Sequence, residues 1–172
     1  GLVGNSLREV VAIFSGDVVN AHREAAAYAR EYYTLMLTDE PFDVVLVNSY
    51  PKDTELLQAE NAFIPLHSTS KKLVKDDGVI IVTSSCSEGM GHHELFGPGK
   101  VLYRQPRPKR FLKDKQFLLY SENITSEDFH QLFAEEYLFF SDWSNIKEWM
   151  AERFSGNFRV LVFPYASLQM VG

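Results

Sequence analysis

The stretch that decides the fold is Val44-Val45-Leu46-Val47-Asn48-Ser49-Tyr50-Pro51-Lys52-Asp53-Thr54-Glu55-Leu56-Leu57-Gln58-Ala59-Glu60-Asn61. Asp43 to Val47 is a nearly continuous apolar run, the pattern of a strand covered on both faces. It stops at Asn48-Ser49-Tyr50-Pro51, where Pro51 biases Tyr50 away from helical angles, so the chain leaves the strand extended. Asp53 is then expected to cap a helix running to about Phe63, by accepting the free N–H groups of its first turn. Pro65 breaks or kinks that helix, because proline lacks an N–H and clashes with the preceding turn.

Outward from this stretch, strands and helices alternate. Upstream, Glu9 to Ser15 reads as a strand, with Leu2-Val3 a candidate hairpin partner. Asp17 caps a predicted helix over Val18 to Tyr33, which carries Ala21, Ala25, Ala29 and Tyr32 on one face. Downstream, a second helical piece is predicted over Ser68 to Lys75, and Asp76-Asp77-Gly78 turns the chain into the strand Val79 to Thr83. Further strands are predicted at Gln116 to Tyr120, Tyr137 to Phe140 and Phe158 to Phe163. Helices are predicted at Ser126 to Phe133, capped by Thr125 or Ser126, and from Ser141-Asp142 to about Phe154. This order predicts one α/β domain with a mainly parallel sheet flanked by helices on both faces, Rossmann-like. Such sheets bind ligands beyond the carboxyl ends of their strands. Three loops are expected there: Gly16-Asp17, Asn48 to Asp53, and Ser84 to His93.

Composition narrows the function classes. A chain of 172 residues fits a single domain, and 45% hydrophobic with 23% charged residues is ordinary for a soluble protein. A net charge of −6 argues against a nucleic-acid partner. The one basic cluster, Arg104-Gln105-Pro106-Arg107-Pro108-Lys109-Arg110, reads as a solvated, proline-stiffened connection. Cys86 is the only cysteine, so no internal disulfide forms and an intracellular setting is favoured. No apolar run approaches the ~20 residues of a membrane span, and no signal peptide is recognisable. A cytoplasmic location is therefore expected. The chain opens Gly1-Leu2-Val3-Gly4-Asn5 without a methionine, as an excised domain or a processed protein would.

Among polar candidates, Gln58 and Asn61 lie three apart and project from one helix face. Two amides that donate and accept together suit a hydroxy acid or a sugar, although spacing alone favours two solvent-facing polars. In Ser84-Ser85-Cys86-Ser87-Glu88-Gly89-Met90-Gly91-His92-His93, hydroxyls and glycines after a strand would let backbone amides approach an anion. The loop matches neither the P-loop nor the dinucleotide fingerprint. Cys86 reads as a buried structural thiol before it reads as a nucleophile. His92 and His93 are adjacent and lack the spacing of a metal pair, so no metal site is expected. His22 sits one turn into its predicted helix, where a packing role is the commoner one.

Three segments together resemble the C-terminal domain of the nickel-pincer-dependent lactate racemase family. They are Gly16-Asp17-x-x-x-Ala21-His22-Arg23, Tyr50-Pro51-Lys52-Asp53 followed by Gln58, and Cys86-Ser87-Glu88-Gly89-x-Gly91. Their order and separations agree with the family, and Val160-Leu161-Val162-Phe163-Pro164 resembles its last strand. The resemblance implies a two-domain enzyme that racemises or epimerises a 2-hydroxy acid by hydride transfer. It implies that an N-terminal domain of the same chain holds the nickel-pincer nucleotide and the acid/base histidines, leaving no catalytic residue and no cofactor in these residues. The present chain would close over the substrate, with Gln58, Asn61 and Leu57 facing it and Tyr50, Asp53, Ser87, Glu88 and His22 in the loops around the site. Alone it is expected to be inactive.

The chain also departs from the family. Where lactate racemases read Tyr-Gln-x-x-Lys, this sequence has Leu57, Gln58 and Asn61, and residues 100–116 lack the tryptophan expected to line the site. The lost lysine and tyrosine point away from lactate, to a larger or more polyhydroxylated substrate or to a member that has lost activity. Two other classes compete: a non-catalytic α/β module binding a small ligand at the same loops, and an independent enzyme using Cys86 or His22.

Overall fold

A computed structural model describes residues 1–92 and 95–172. In chain order the elements are β1 (Leu2–Gly4), β2 (Val10–Ile13), α1 (Val18–Tyr33), β3 (Thr34–Leu35), β4 (Phe42–Asn48), a 3-10 helix (Leu56–Phe63), α2 (Ile64–His67) and β5 (Val74–Thr83). A short 3-10 turn (Arg110–Leu112), β6 (Gln116–Tyr120), α3 (Ser126–His130), β7 (Leu138–Phe140), α4 (Trp143–Arg153), β8 (Val160–Phe163) and β9 (Met170–Val171) complete it.

Five parallel strands form the central sheet in the order β7-β6-β5-β4-β8. β4 is the first of them in sequence, and it is paired on both sides, Val44 with Val79 and with Val160. That position explains its apolar run. Val45 and Val47 join Ile80, Val82, Phe117 and Leu119 in a core closed by Leu56, Ala59 and Phe63 of the 3-10 helix and by Phe129 of α3. Val44, Val79, Ile81 and Leu118 point the other way, onto Ile146 of α4 with Trp143, Trp149 and Met150 around it. Successive strand residues face opposite sides, so a strand with both faces covered must be apolar throughout.

Local signals place the helices. Asp17 accepts from the backbone N–H of Val19 and Asn20 and starts α1. Thr125 and Asp128 bond each other's backbone reciprocally in a capping box that starts α3, and Asp142 caps α4 through the N–H of Ser144. At the lower end of β4, Asp43 accepts from the Arg159 backbone N–H (2.9 Å) and the Lys75 ammonium (2.7 Å). Those bonds hold its carboxyl below the usual carboxylate range, the Arg159 bond being the larger cause.

Several expectations are corrected. Val10–Ile13 does not join the five-stranded sheet; among the described residues it pairs with β1, antiparallel, as the anticipated hairpin. Composition identifies a strand but not its partner, and here β1 takes up one edge while Val10 and Ile13 stay 55% and 71% exposed. α1 buries only Ala21, and Gly16-Asp17 follows a strand of the two-stranded hairpin and not one of the five-stranded sheet. Ser68–Lys75 is not helical: Leu73 and Val74 are buried, and the Phe42 N–H donates to Leu73 O (2.8 Å), drawing this segment into the sheet. Asp76–Gly78 is an irregularity inside β5, between the Phe42–Val74 and Val44–Val79 pairs. Gly78 is required there, because a Cβ would stand 2.7 Å from Val74 Cγ1 and 2.9 Å from Lys75 O. The change from the 3-10 helix to α2 falls at Ile64, with Pro65 in the first turn of α2, where a missing N–H costs nothing.

Candidate functional site

The carboxyl ends of β4, β5 and β6 converge on one polar crevice, and its construction begins at Asn48. The Asn48 side-chain oxygen accepts from the Tyr50 N–H (2.9 Å), which turns the chain out of β4 before a cis Tyr50–Pro51 bond. Ser49 stays fully buried. Its N–H donates to Thr83 O (3.0 Å) and its hydroxyl to Ser84 Oγ (2.8 Å), while Ser84 Oγ donates to Asp53 O (3.2 Å).

Asp53 is not the helix cap expected of it. The 3-10 helix starts behind Glu55, with no side-chain cap bond. Its orphan N–H groups are taken by the neighbouring loop instead: Leu56 donates to Gly89 O (3.0 Å) and Leu57 to Met90 O (3.2 Å). In return the Cys86 N–H donates to Asp53 O (2.7 Å) and the Glu88 N–H to Thr54 O (2.8 Å). The two loops singled out in the sequence are thus stitched together by four backbone bonds. This pairing spares Asp53 its capping role and leaves its carboxylate on the crevice.

The crevice encloses ≈ 440 Å³ and is lined by Asn48, Asp53, Thr83, Ser84, Ser85, Tyr120, Glu122 and Asn123. Ser85 O accepts from both Ser121 Oγ (3.1 Å) and Asn123 Nδ2 (2.8 Å), which ties the β5 loop to the β6 loop. Tyr120 donates its phenolic hydrogen to Glu122. That bond, helped by burial and by the Glu122 and Asp142 charges, pushes the Tyr120 pKa up to about 12. Tyr120, Glu122 and Asn123 were not among the sequence candidates. The signal existed: Tyr120-Ser121-Glu122-Asn123 follows the apolar run of β6, and the strand-end rule applied to that strand picks them out.

Cys86 is fully buried behind this crevice. Burial pushes its thiol pKa up, against hydrogen bonds with Ser84 and Ser121 that pull it down, and the nearby Asp53 adds to the rise. The environment opposes a thiolate nucleophile.

The other sequence candidates lie elsewhere. Gln58 and Asn61 are half-buried on the 3-10 helix, where residues three apart eclipse one another. Gln58 Nε2 donates to Glu55 Oε2 at a long 3.4 Å, and Asn61 Nδ2 donates to Gln58 O (2.8 Å). Leu57 turns to a different cleft, beside Arg104 and Arg107. Ser87 and Glu88 are exposed on the β5 loop. The Tyr50 ring packs edge-on to Tyr165 with Arg8 above it, and its hydroxyl donates to Ser6 O (3.3 Å). His22 is exposed in the groove between the hairpin and α1, apart from the crevice. His93 lies outside the described residues. Among the described residues no three His, Cys, Asp or Glu side chains gather as metal ligands, and no helix is long and apolar enough to cross a membrane.

Fold and crevice together define an α/β domain with a polar site beyond the ends of its parallel strands. No family model matches the sequence, and no curated protein matches it. A solved structure does match: the lactate racemase apoprotein from Thermoanaerobacterium thermosaccharolyticum, with a TM-score of 0.64 and 18% sequence identity. The likeness covers 99% of this chain, which spans 45% of the length of that one. The chain therefore has a lactate-racemase-like fold throughout.

Proposed function

We propose that this chain is the substrate-side domain, C-terminal in its polypeptide, of a lactate-racemase-like enzyme that racemises or epimerises a 2-hydroxy acid. The observation that carries the reading is the fold likeness, which takes in 99% of this chain and under half of the racemase chain. The three loop segments that resemble the family in sequence support it. So do the exposed apolar residues of the hairpin and the start of α1, with Leu2, Leu7, Val10, Ile13 and Val18 all at least 55% exposed. So many exposed apolar side chains in one short stretch of chain suit a companion domain packed against them.

In this reading the nickel-pincer nucleotide and the acid/base histidines belong to that companion domain. The donor set of the described residues does not fit a nickel site. The work of this chain is to bind and orient substrate. Gln58, whose amide makes one long bond among the described residues, presents both a donor and an acceptor to a hydroxyl or carboxylate. Asn61 beside it is uncharged, which removes a fixed cation from that position.

The test is to load the full-length polypeptide with the cofactor and offer it single enantiomers of several 2-hydroxy acids, with chiral chromatography as the readout. Interconversion of at least one acid is expected, and none from this domain alone. Failure across a panel of small, aromatic and polyhydroxylated acids rejects the reading, and turnover by these 172 residues alone rejects the division of labour.

A second reading, a non-catalytic module binding a small polar ligand, draws on the strand-end crevice, which is lined without Gln58 or Asn61. Saturable ligand binding abolished by Asp53→Ala, in a full-length protein with no racemase activity, would favour it.

A further inference from the structure

The segment from Val101 to Lys109 is more than a solvated connection. With Leu56 and Leu57 at the start of the 3-10 helix, and with Phe133, it encloses a cleft of ≈ 640 Å³. Arg104 and Arg107 both line this cleft. Lys109 also lines it but is committed: its ammonium bonds Glu60 at 2.6 Å and sits 5.8 Å from the centre of the Phe133 ring. Among the described residues no hydrogen bond or ion pair engages either guanidinium.

The remaining walls are mixed: Leu56, Leu57, Phe96 and Val101 are apolar, while Glu60 and Gln105 are polar. Val101 is 89% exposed, Phe96 49% and Leu102 46%, a density of outward-facing apolar side chains that a plain connecting loop does not need. A volume of several hundred Å³ that sets apolar side chains beside a few placed charges is an ordinary attribute of a small-molecule site. Two guanidinium forks match the two oxygens of a carboxylate, while the apolar walls match a hydrocarbon or aromatic body.

We infer that this cleft binds an organic carboxylate with a bulky apolar substituent, its carboxylate held by Arg104 and Arg107 and its body lying against Leu57, Phe96 and Val101. That the carboxylate is a 2-hydroxy acid rests on the proposed function; the cleft and its charges do not. On that footing, Arg104 and Arg107 supply the cation that Asn61, which does not line this cleft, cannot. Leu57 opens room for a substituent larger than the methyl of lactate.

The experiment titrates the full-length polypeptide with 3-phenyllactate, lactate and inorganic phosphate, using calorimetry and saturation-transfer NMR. Saturable binding of 3-phenyllactate below about 10 mM is expected, with lactate and phosphate weaker. The double variant Arg104→Gln/Arg107→Gln should weaken it about tenfold or more, the scale of a lost charge-assisted bond. Val101→Glu, at a position that touches no core, should abolish it by repulsion. No binding, binding unchanged in both variants, or phosphate binding as tightly as 3-phenyllactate overturns the inference, the last by reducing the cleft to a general anion site. Binding is read without turnover, so the two proposals fail separately. Binding that behaves as expected in a protein that racemises nothing rejects the enzymatic reading alone. Racemisation with KM and kcat untouched by the arginine variants rejects the cleft alone.

Discussion

Tyr120 donates its phenolic hydrogen to the Glu122 carboxylate at the mouth of the strand-end crevice, and the pair joins the last turn of β6 to the polar floor of the site. The contact favours the protonated phenol.

This pairing has a measurable pH signature. A tyrosine pKa raised to about 12 means that the folded state favours the neutral phenol. The stability contributed is fully present below the ordinary value of 10.0 and is lost as pH rises toward 12. Absorbance titration should show two of the eight tyrosines ionising late, Tyr120 and the Tyr137 that burial also pushes up, and Glu122→Gln should return Tyr120 alone toward the ordinary range. A titration curve identical in the two proteins would remove the carboxylate as the cause.

Cys86 should behave as a core residue. With its thiol buried and its pKa raised, reaction with a thiol reagent near pH 8 should run at least about tenfold slower than with a free thiol, and reach full speed in denaturant. Fast labelling of the folded protein would reopen a chemical role for this cysteine.

Gly91 anchors the stitched loops. It has φ of +99°, and a Cβ would stand 2.6 Å from three atoms of the Glu55 side chain, just before the 3-10 helix. Gly91→Ala should cost roughly 1–3 kcal/mol through left-handed strain and overpacking. Urea unfolding measures the cost, and equal midpoints for the two proteins would show that Glu55 moves aside freely.

Gln58 and Asn61 are tested in the full-length, cofactor-loaded enzyme. Gln58→Ala should lower turnover about tenfold while the unfolding midpoint stays put, since its one side-chain bond is long. Asn61→Lys should shift preference toward small carboxylates by restoring a cation on the helix. Unchanged kinetics in the first variant, or an unchanged substrate range in the second, would detach the residue from the site.

What was legible in the sequence is what short-range chemistry controls. The apolar run Val44–Val47 could only be a strand closed on both faces, and Asp17, Thr125 and Asp142 announced their helices because a cap bonds within three residues of itself. The α/β class, with helices on both faces of a parallel sheet, followed from that order of elements. Tertiary structure decided the rest, because pairing partners and loop contacts depend on residues distant in the chain. Val10–Ile13 has the composition of a sheet strand, yet it pairs with β1 and stays outside the five-stranded sheet. Asp53 has the chemistry of a cap, yet the carbonyls of Gly89 and Met90 already serve the N–H groups it would have taken, and its carboxylate is left to the crevice. Arg104 and Arg107 looked like solvated charge until the fold set them beside Leu57, about fifty residues away in sequence. A chain's spacing reports which side chains share one element; only the packing of elements shows which of them face the same empty volume.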